Sequence, residues 1–262
     1  MFDLITYTAP KIQLFMLVLL RASGVFLLAP VFSHAAIPTQ FKIALILLFT
    51  IVVTASVSDA SIPQAVSIAE LSVLAFKELL VGLMIGFVFM VLFWGVQGAG
   101  SIAGYQMGLT IASVVDPSTN QEQSTIGQFW LLVSLVIFFG IDGHHLIIRA
   151  FHDSYAAIPA GQVAFNGTTG ELAIKYSAYS LVIALKVAAP VIVTMFLTDV
   201  ALGVISKLLP TMNVFIVSFG LKIAIGLAVM ALSLPMFAYV LEKGTIYLND
   251  QLTTVLASMG KA

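Results

Sequence analysis

The side chains best suited to chemistry lie between Asp142 and Asp153. Asp142, His144, His145, His152 and Asp153 form the densest polar cluster of the chain. His145 and His152 are seven apart and share a face if the helix is continuous. Histidine and carboxylate together can bind zinc. The spacing is not H-E-x-x-H, however, and no glutamate is placed as a general base. The plain reading is a helix entry, with Asp142 as a cap and the histidines at an interface. There is no G-x-S-x-G elbow, no phosphate-cradling P-loop and no carboxylate pair that stands out at helical spacing. The chain has no cysteine, which excludes thiolate metal sites, disulfides and cysteine nucleophiles. No catalytic, cofactor or metal site is expected, and the chain does not read as an enzyme.

The second group of reactive side chains consists of charges in apolar surroundings: Arg21, Lys77, Glu78, Lys186 and Lys222. A lipid-facing charge at mid-bilayer costs roughly 2.5–3.5 kcal/mol on insertion scales. Such residues face a protein interior or an aqueous path, or snorkel to an interface. Lys77 and Glu78 are adjacent and point about 100° apart on a helix, so they do not pair with each other. Each charge is expected to find a neighbour elsewhere, in this chain or in a partner.

The elements that carry these residues follow from composition. Of the 262 residues, 60% are hydrophobic and 9% charged. A soluble domain averages about 45–50% apolar and about 25% charged. The surplus apolar surface must face lipid or partner subunits. A net charge of -1 without a basic run argues against nucleic acid as a partner. Six apolar stretches stand out, at 12–29, 41–57, 71–97, 126–141, 178–198 and 214–241. A membrane span needs about 20 residues. The stretch 126–141 is short, and 214–241 is long and contains Pro235, so both are expected to be broken or tilted. Breaks fall at Ala29-Pro30, Ile37-Pro38, Ser58 to Pro63, Pro159 to Gly167 and Pro210 to Asn213. The order is helix, turn, helix throughout, with no period-2 runs and no long repeat.

The first apolar run, followed by Ser33-His34-Ala35, has the outline of a signal peptide. Residues 1–10 carry no Lys or Arg and Arg21 interrupts the run, so it is expected to remain uncleaved. Lys and Arg in the loops are too few to set an orientation. Segment 98–125 is the odd one, too apolar for a solvent loop and too glycine-rich for a stable helix. Irregular backbone at membrane depth must be buried in protein or line a cavity.

The polar islands carry a family resemblance. Gly104-Tyr105-Gln106-Met107-Gly108, then Asp116-Pro117, then Gly143-His144 are similar to the central block of the FliR/SctT family of type III secretion export-gate components. Ala29-Pro30-Val31-Phe32 and Pro38 match its first hairpin. Lys186 to Pro190, Asp199, Gly203, Pro210-Thr211-Met212-Asn213-Val214-Phe215 and Lys222 match its C-terminal part. The resemblance covers nearly the whole chain. One departure is Pro210-Thr211, where the family usually has Pro-Gln.

The resemblance implies an all-α, membrane-associated fold of broken helical hairpins assembled in a helical export-gate complex. It implies a FliP-like part over residues 1–175, with a plug loop at 104–125, and a FliQ-like part over 176–262, within one folding unit. The implied partners are FliP, FliQ and FlhB homologues, membrane lipid and unfolded export substrates. The implied location is the bacterial inner membrane at the flagellar basal body, with much of the gate above the membrane plane. Residues 106–124 are the implied plug, with Gln106, Met107, Gly108, Leu109, Ile111, Val114, Val115, Asp116 and Pro117 at the pore. Arg21, Lys77, Glu78, Lys186, Asp199 and Lys222 are expected to be buried charges or subunit contacts. A virulence export gate is the alternative assignment. A secondary transporter is a weaker one, because such proteins usually show internal repeats.

Overall fold

The computed structural model describes residues 2–34, 37–57, 67–109, 124–164, 167–209 and 213–260, with backbone alone for 2–9 and 214–216. All regular structure among them is helical: α1 (Phe2–Leu28), α2 (Pro30–Ser33), α3 (Thr39–Ser56), α4 (Ile68–Gln106), α5 (Thr125–Gly140), α6 (Gly143–Ala157), α7 (Gly167–Leu208) and α8 (Val214–Gly260). The breaks at Ala29-Pro30, Ile37-Pro38 and from Pro159 fall where expected, whereas Ser58 to Pro63 and Pro210 to Met212 lie outside the described residues. Pro30 sits at the start of α2, and α3 begins directly after Pro38. Proline fixes φ and lacks an N–H, so it suits the first helical turn and ends the helix before it.

Three helices are far longer than a bilayer requires. α4, α7 and α8 have 39, 42 and 47 residues. At about 1.5 Å per residue they run roughly 58, 63 and 70 Å along their axes, against a hydrocarbon core of about 30 Å. Among the described residues, five helices, including α1 from Pro10 and α3, are long and apolar enough to cross a membrane. Pro235 does not break α8, nor Pro190 α7. A proline inside a helix forfeits one backbone hydrogen bond, here those to the Lys186 and Ala231 carbonyls, a loss that packing can offset. The nearby hydroxyls bond other carbonyls: Thr194 Oγ1 donates to the Pro190 carbonyl at 2.8 Å, and Ser233 Oγ to the Met230 carbonyl at 3.0 Å. The short stretch at 126–141 does end early: α5 stops at Gly140, and Asp142, at φ 57°, precedes the restart as α6.

The chain divides into two compact units. The first holds Met1–Val91, Asp142–Tyr176 and Thr245–Ala262. Here α1 lies against α4 at backbone contact distance. A Cβ on Gly24 would come within 2.6 Å of the Leu79 carbonyl oxygen, and one on Gly86 within 2.9 Å of Leu28 Cβ. A Cβ on Gly82 would collide with the Arg21 carbonyl oxygen. Gly82 and Gly86 form a small-xxx-small pair of the kind that lets apolar helices approach closely. Leu17, Val18, Ile85, Val88 and Phe89 are fully buried. Phe26 stacks on Phe32 at 4.3 Å and meets Phe49 of α3 at 5.5 Å. The end of α8 is pinned in this unit as well. Ala164 N–H donates to the Met259 carbonyl at 2.8 Å, and Tyr176 OH to Gln251 Oε1 at 3.1 Å.

The second unit holds Leu92–Ile141 and Ser177–Gly244. Its aromatic contacts include Phe93–Phe138 at 5.3 Å and Trp130–Phe237, edge-on, at 4.2 Å. Residues 98–106 depart from expectation, because they are the last turns of α4. Each glycine in a helix costs about 1 kcal/mol relative to alanine, but here close packing offsets the loss. A Cβ on Gly100 would lie 2.6 Å from Gly127 Cα and 2.8 Å from the Ile126 carbonyl oxygen. The glycines are the means by which α4 meets the start of α5.

Candidate functional site

The helix stop at the head of the implied plug is built by the Gln106-Met107-Gly108 block. Leu109 N–H reaches the Gly104 carbonyl and Gly108 N–H the Tyr105 carbonyl, both at 3.0 Å. With Gly108 at φ 82°, this is a Schellman motif, in which a left-handed residue after the helix satisfies its last carbonyls. Glycine at 108 has a conformational reason, since a Cβ in that region is strained. Met107 is fully buried and lies against Gly226 of α8. Gln106 and Leu109 are half-buried and Tyr105 is exposed. At the other end of the segment, Ser124 caps α5, its Oγ accepting from Gly127 N–H at 3.3 Å. Ile111, Val114, Val115, Asp116 and Pro117 lie outside the described residues.

The charges separate into two kinds. Arg21 and Glu78 are both wholly buried. Arg21 Nε donates to Glu78 Oε2 at 2.6 Å and an Arg21 terminal nitrogen to Oε1 at 3.1 Å, a fork-on-fork pair. The guanidinium also donates to Ser154 Oγ at 2.9 Å and to the Ile158 carbonyl at 3.1 Å. Its carbon stands 4.0 Å over the Tyr155 ring. Gly161 N–H, in a left-handed turn, donates to Glu78 Oε1 at 2.7 Å. One ion pair therefore joins α1, α4, α6 and the turn after α6. Every bond satisfies part of a charge that would otherwise be costly to bury.

Lys222 of α8 and Asp199 of α7 form an ion pair at partly open positions, 21% and 47% exposed. Lys77 is half-buried beside its buried neighbour. Lys186 is exposed on α7. Sequence reasoning missed Ser154, Ile158 and Gly161, two of which act through backbone atoms that no side-chain pattern reveals. It also missed Gly24, Gly82 and Gly86, although the 82/86 spacing was a readable signal.

Asp142 occupies the cap position of α6 without a side-chain cap bond. Its carboxylate instead lies 3.2 Å from His145 Nδ1. Asp142, His144 and His145 bring one ligand atom each within 4.8 Å of one another. His152 faces Asp153 at 3.1 Å. His145 and His152 are both exposed, and nothing in the cluster aligns a nucleophile with a base.

These features define an all-helical membrane protein whose first unit is locked by a buried ion pair. The profile of the bacterial export proteins, family 1, matches residues 12–246, and the chain belongs to that family. It is similar to the flagellar biosynthetic protein FliR of Bacillus subtilis (strain 168), with 31% identity over 94% of this chain and 95% of that protein. FliR of Escherichia coli (strain K12) is 27% identical over 84% of each chain. The surface presentation of antigens protein SpaR of Shigella sonnei is 30% identical over 78% of each. Family membership makes the chain a component of a bacterial export apparatus.

Proposed function

We propose that the chain is a gate subunit of a flagellar type III export apparatus in the bacterial inner membrane. With FliP and FliQ homologues, and in contact with an FlhB homologue, it forms the pore through which unfolded flagellar subunits pass. The observation that carries this reading is the uncovered apolar surface. In the most apolar windows of α3 and α8 only 11% and 22% of residues are buried. α4, α7 and α8 also exceed the hydrocarbon core about twofold. Lipid can cover one bilayer's length of such helices, and neighbouring subunits must cover the rest. Residues 1–175 correspond in this reading to a FliP-like part and 176–262 to a FliQ-like hairpin.

Segment 106–124 is the plug in this proposal. A fixed helix stop at Gly108 and a capped start at Ser124 would anchor both ends of an apolar closure. Met107 and Leu109, with Ile111, Val114 and Val115 beyond them, supply apolar and adaptable side chains. An apolar constriction also blocks ions by excluding water. Opening would admit an unfolded chain, and the segment would reseal around it. No covalent step is required of this chain.

Replacing Gly108 by Asp tests the plug. Ion leakage across the cell membrane or loss of export is expected. Unchanged motility together with unchanged ion permeability would overturn the plug. A virulence export gate is the second reading, favoured by the SpaR similarity and by 32% identity over 151 residues to the Yop proteins translocation protein T of Yersinia pestis. Flagellar genes beside this one would favour the first reading, and virulence genes the second.

A further inference from the structure

Lys186 is exposed in the middle of the longest uncharged part of α7. Between Tyr176 and Thr198 it is the sole charged residue, eleven positions from Lys175 and thirteen from Asp199. At about 1.5 Å per residue the nearest polar ends are roughly 16 and 20 Å away. A lysine side chain extends only a fraction of that distance, so snorkelling cannot bring this ammonium to an interface. Its surroundings on the helix are apolar. Val182, Val193, Leu197, Val200 and Val204 lie within about 40° of Lys186 at 100° per residue and are between 42% and 61% exposed. Val191 and Met195, on the opposite face, are buried, and so are Ile183 and Val187 on the flank between. Pro190, half-buried one turn on, has no N–H, so the Lys186 carbonyl lacks its usual helical donor. No ion pair to Lys186 is formed among the described residues.

We propose that this stripe is covered by an apolar helix of a neighbouring gate subunit that carries an aspartate or glutamate opposite Lys186. Lipid matches the valines and the leucine but leaves the ammonium uncompensated. A helix with a carboxylate at the matching height satisfies both. The inference rests on the gate reading, because it needs a neighbouring subunit.

The test uses the full chain, tagged, in its native host. Lys186→Met, Lys186→Glu and Lys186→Arg are compared by membrane level of the chain and by yield of the assembled complex. Lys186→Met leaves the partner carboxylate buried alone, and Lys186→Glu adds repulsion. Both are expected to lower complex yield at least tenfold at unchanged membrane level, while Lys186→Arg stays within about threefold of the original chain. Suppressors of Lys186→Glu are expected to replace an acidic residue within an apolar helix of another subunit. Wild-type complex yield with Lys186→Met overturns the proposal, because lipid or a water-filled lumen tolerates a neutral side chain. Should the variants fail to accumulate, a photo-crosslinker at Val193, with Lys186 intact, decides. An adduct with another subunit supports the proposal, and its absence overturns it. If the unaltered chain purifies with no other subunit, the gate reading itself fails.

Discussion

Arg21 and Glu78, 57 residues apart in sequence, form a doubly hydrogen-bonded ion pair with neither side chain exposed. Removing one partner leaves an unpaired buried charge, which costs about 3–5 kcal/mol. Arg21→Met or Glu78→Gln is therefore expected to reduce membrane accumulation sharply and to lower the unfolding temperature in detergent. The double variant Arg21→Met/Glu78→Leu is expected to recover much of the loss, since apolar replacement of both partners is often near neutral. Additive losses in that cycle would show that the two residues do not act as a pair.

The α1–α4 crossing makes a second expectation. Gly82→Ala places a methyl group against the Arg21 backbone, which cannot give way as a side chain could. A loss of at least about 1–3 kcal/mol is expected from overpacking, and the Arg21 pair is disturbed with it. Gly170→Ala is the contrast. Nothing lies within 4 Å of the added Cβ, and a gain of about 0.5–1 kcal/mol is expected. Detergent melts of the two variants check both signs.

Gly108 gives a third. Its φ of 82° makes alanine strained by about 1–2 kcal/mol. Asparagine, which tolerates the left-handed region better, is expected to be milder. Hydrogen exchange at the Gly108 and Leu109 amides reads the effect directly. Faster exchange in Gly108→Ala than in Gly108→Asn is expected, and equal protection would mean that the Schellman stop does not depend on glycine.

The Lys222–Asp199 pair is partly open to solvent. In the detergent-solubilised single chain, Lys222→Met or Asp199→Asn is expected to change stability by about 1 kcal/mol or less. A loss as large as that for Arg21→Met would mean that the pair is effectively buried.

Much of this was legible in the sequence, for identifiable reasons. Hydropathy and the prolines at 30, 38 and 210 placed the helices, and Arg21 and Glu78 stood out as charges in apolar runs. That they pair with each other was not readable, because the partners lie in different helices and the supporting groups include the Ile158 carbonyl and the Gly161 amide. The glycines at 98, 100 and 104 were misread as helix-breaking. Propensity scales describe helices in water, whereas Gly100 and Gly104 face Gly127 and Ser124 across a close crossing and Gly98 lies against Ala184. The Gln106-Met107-Gly108 block was recognised by resemblance, and its work as a helix stop came only from the bonds of Gly108 and Leu109.

The most direct test of the gate assignment is the mass and composition of the complex purified from native membranes through a tag on this chain. A complex several times heavier than the 262-residue chain, containing FliP and FliQ homologues, is expected. A monomer that transports a small solute without them would contradict the assignment.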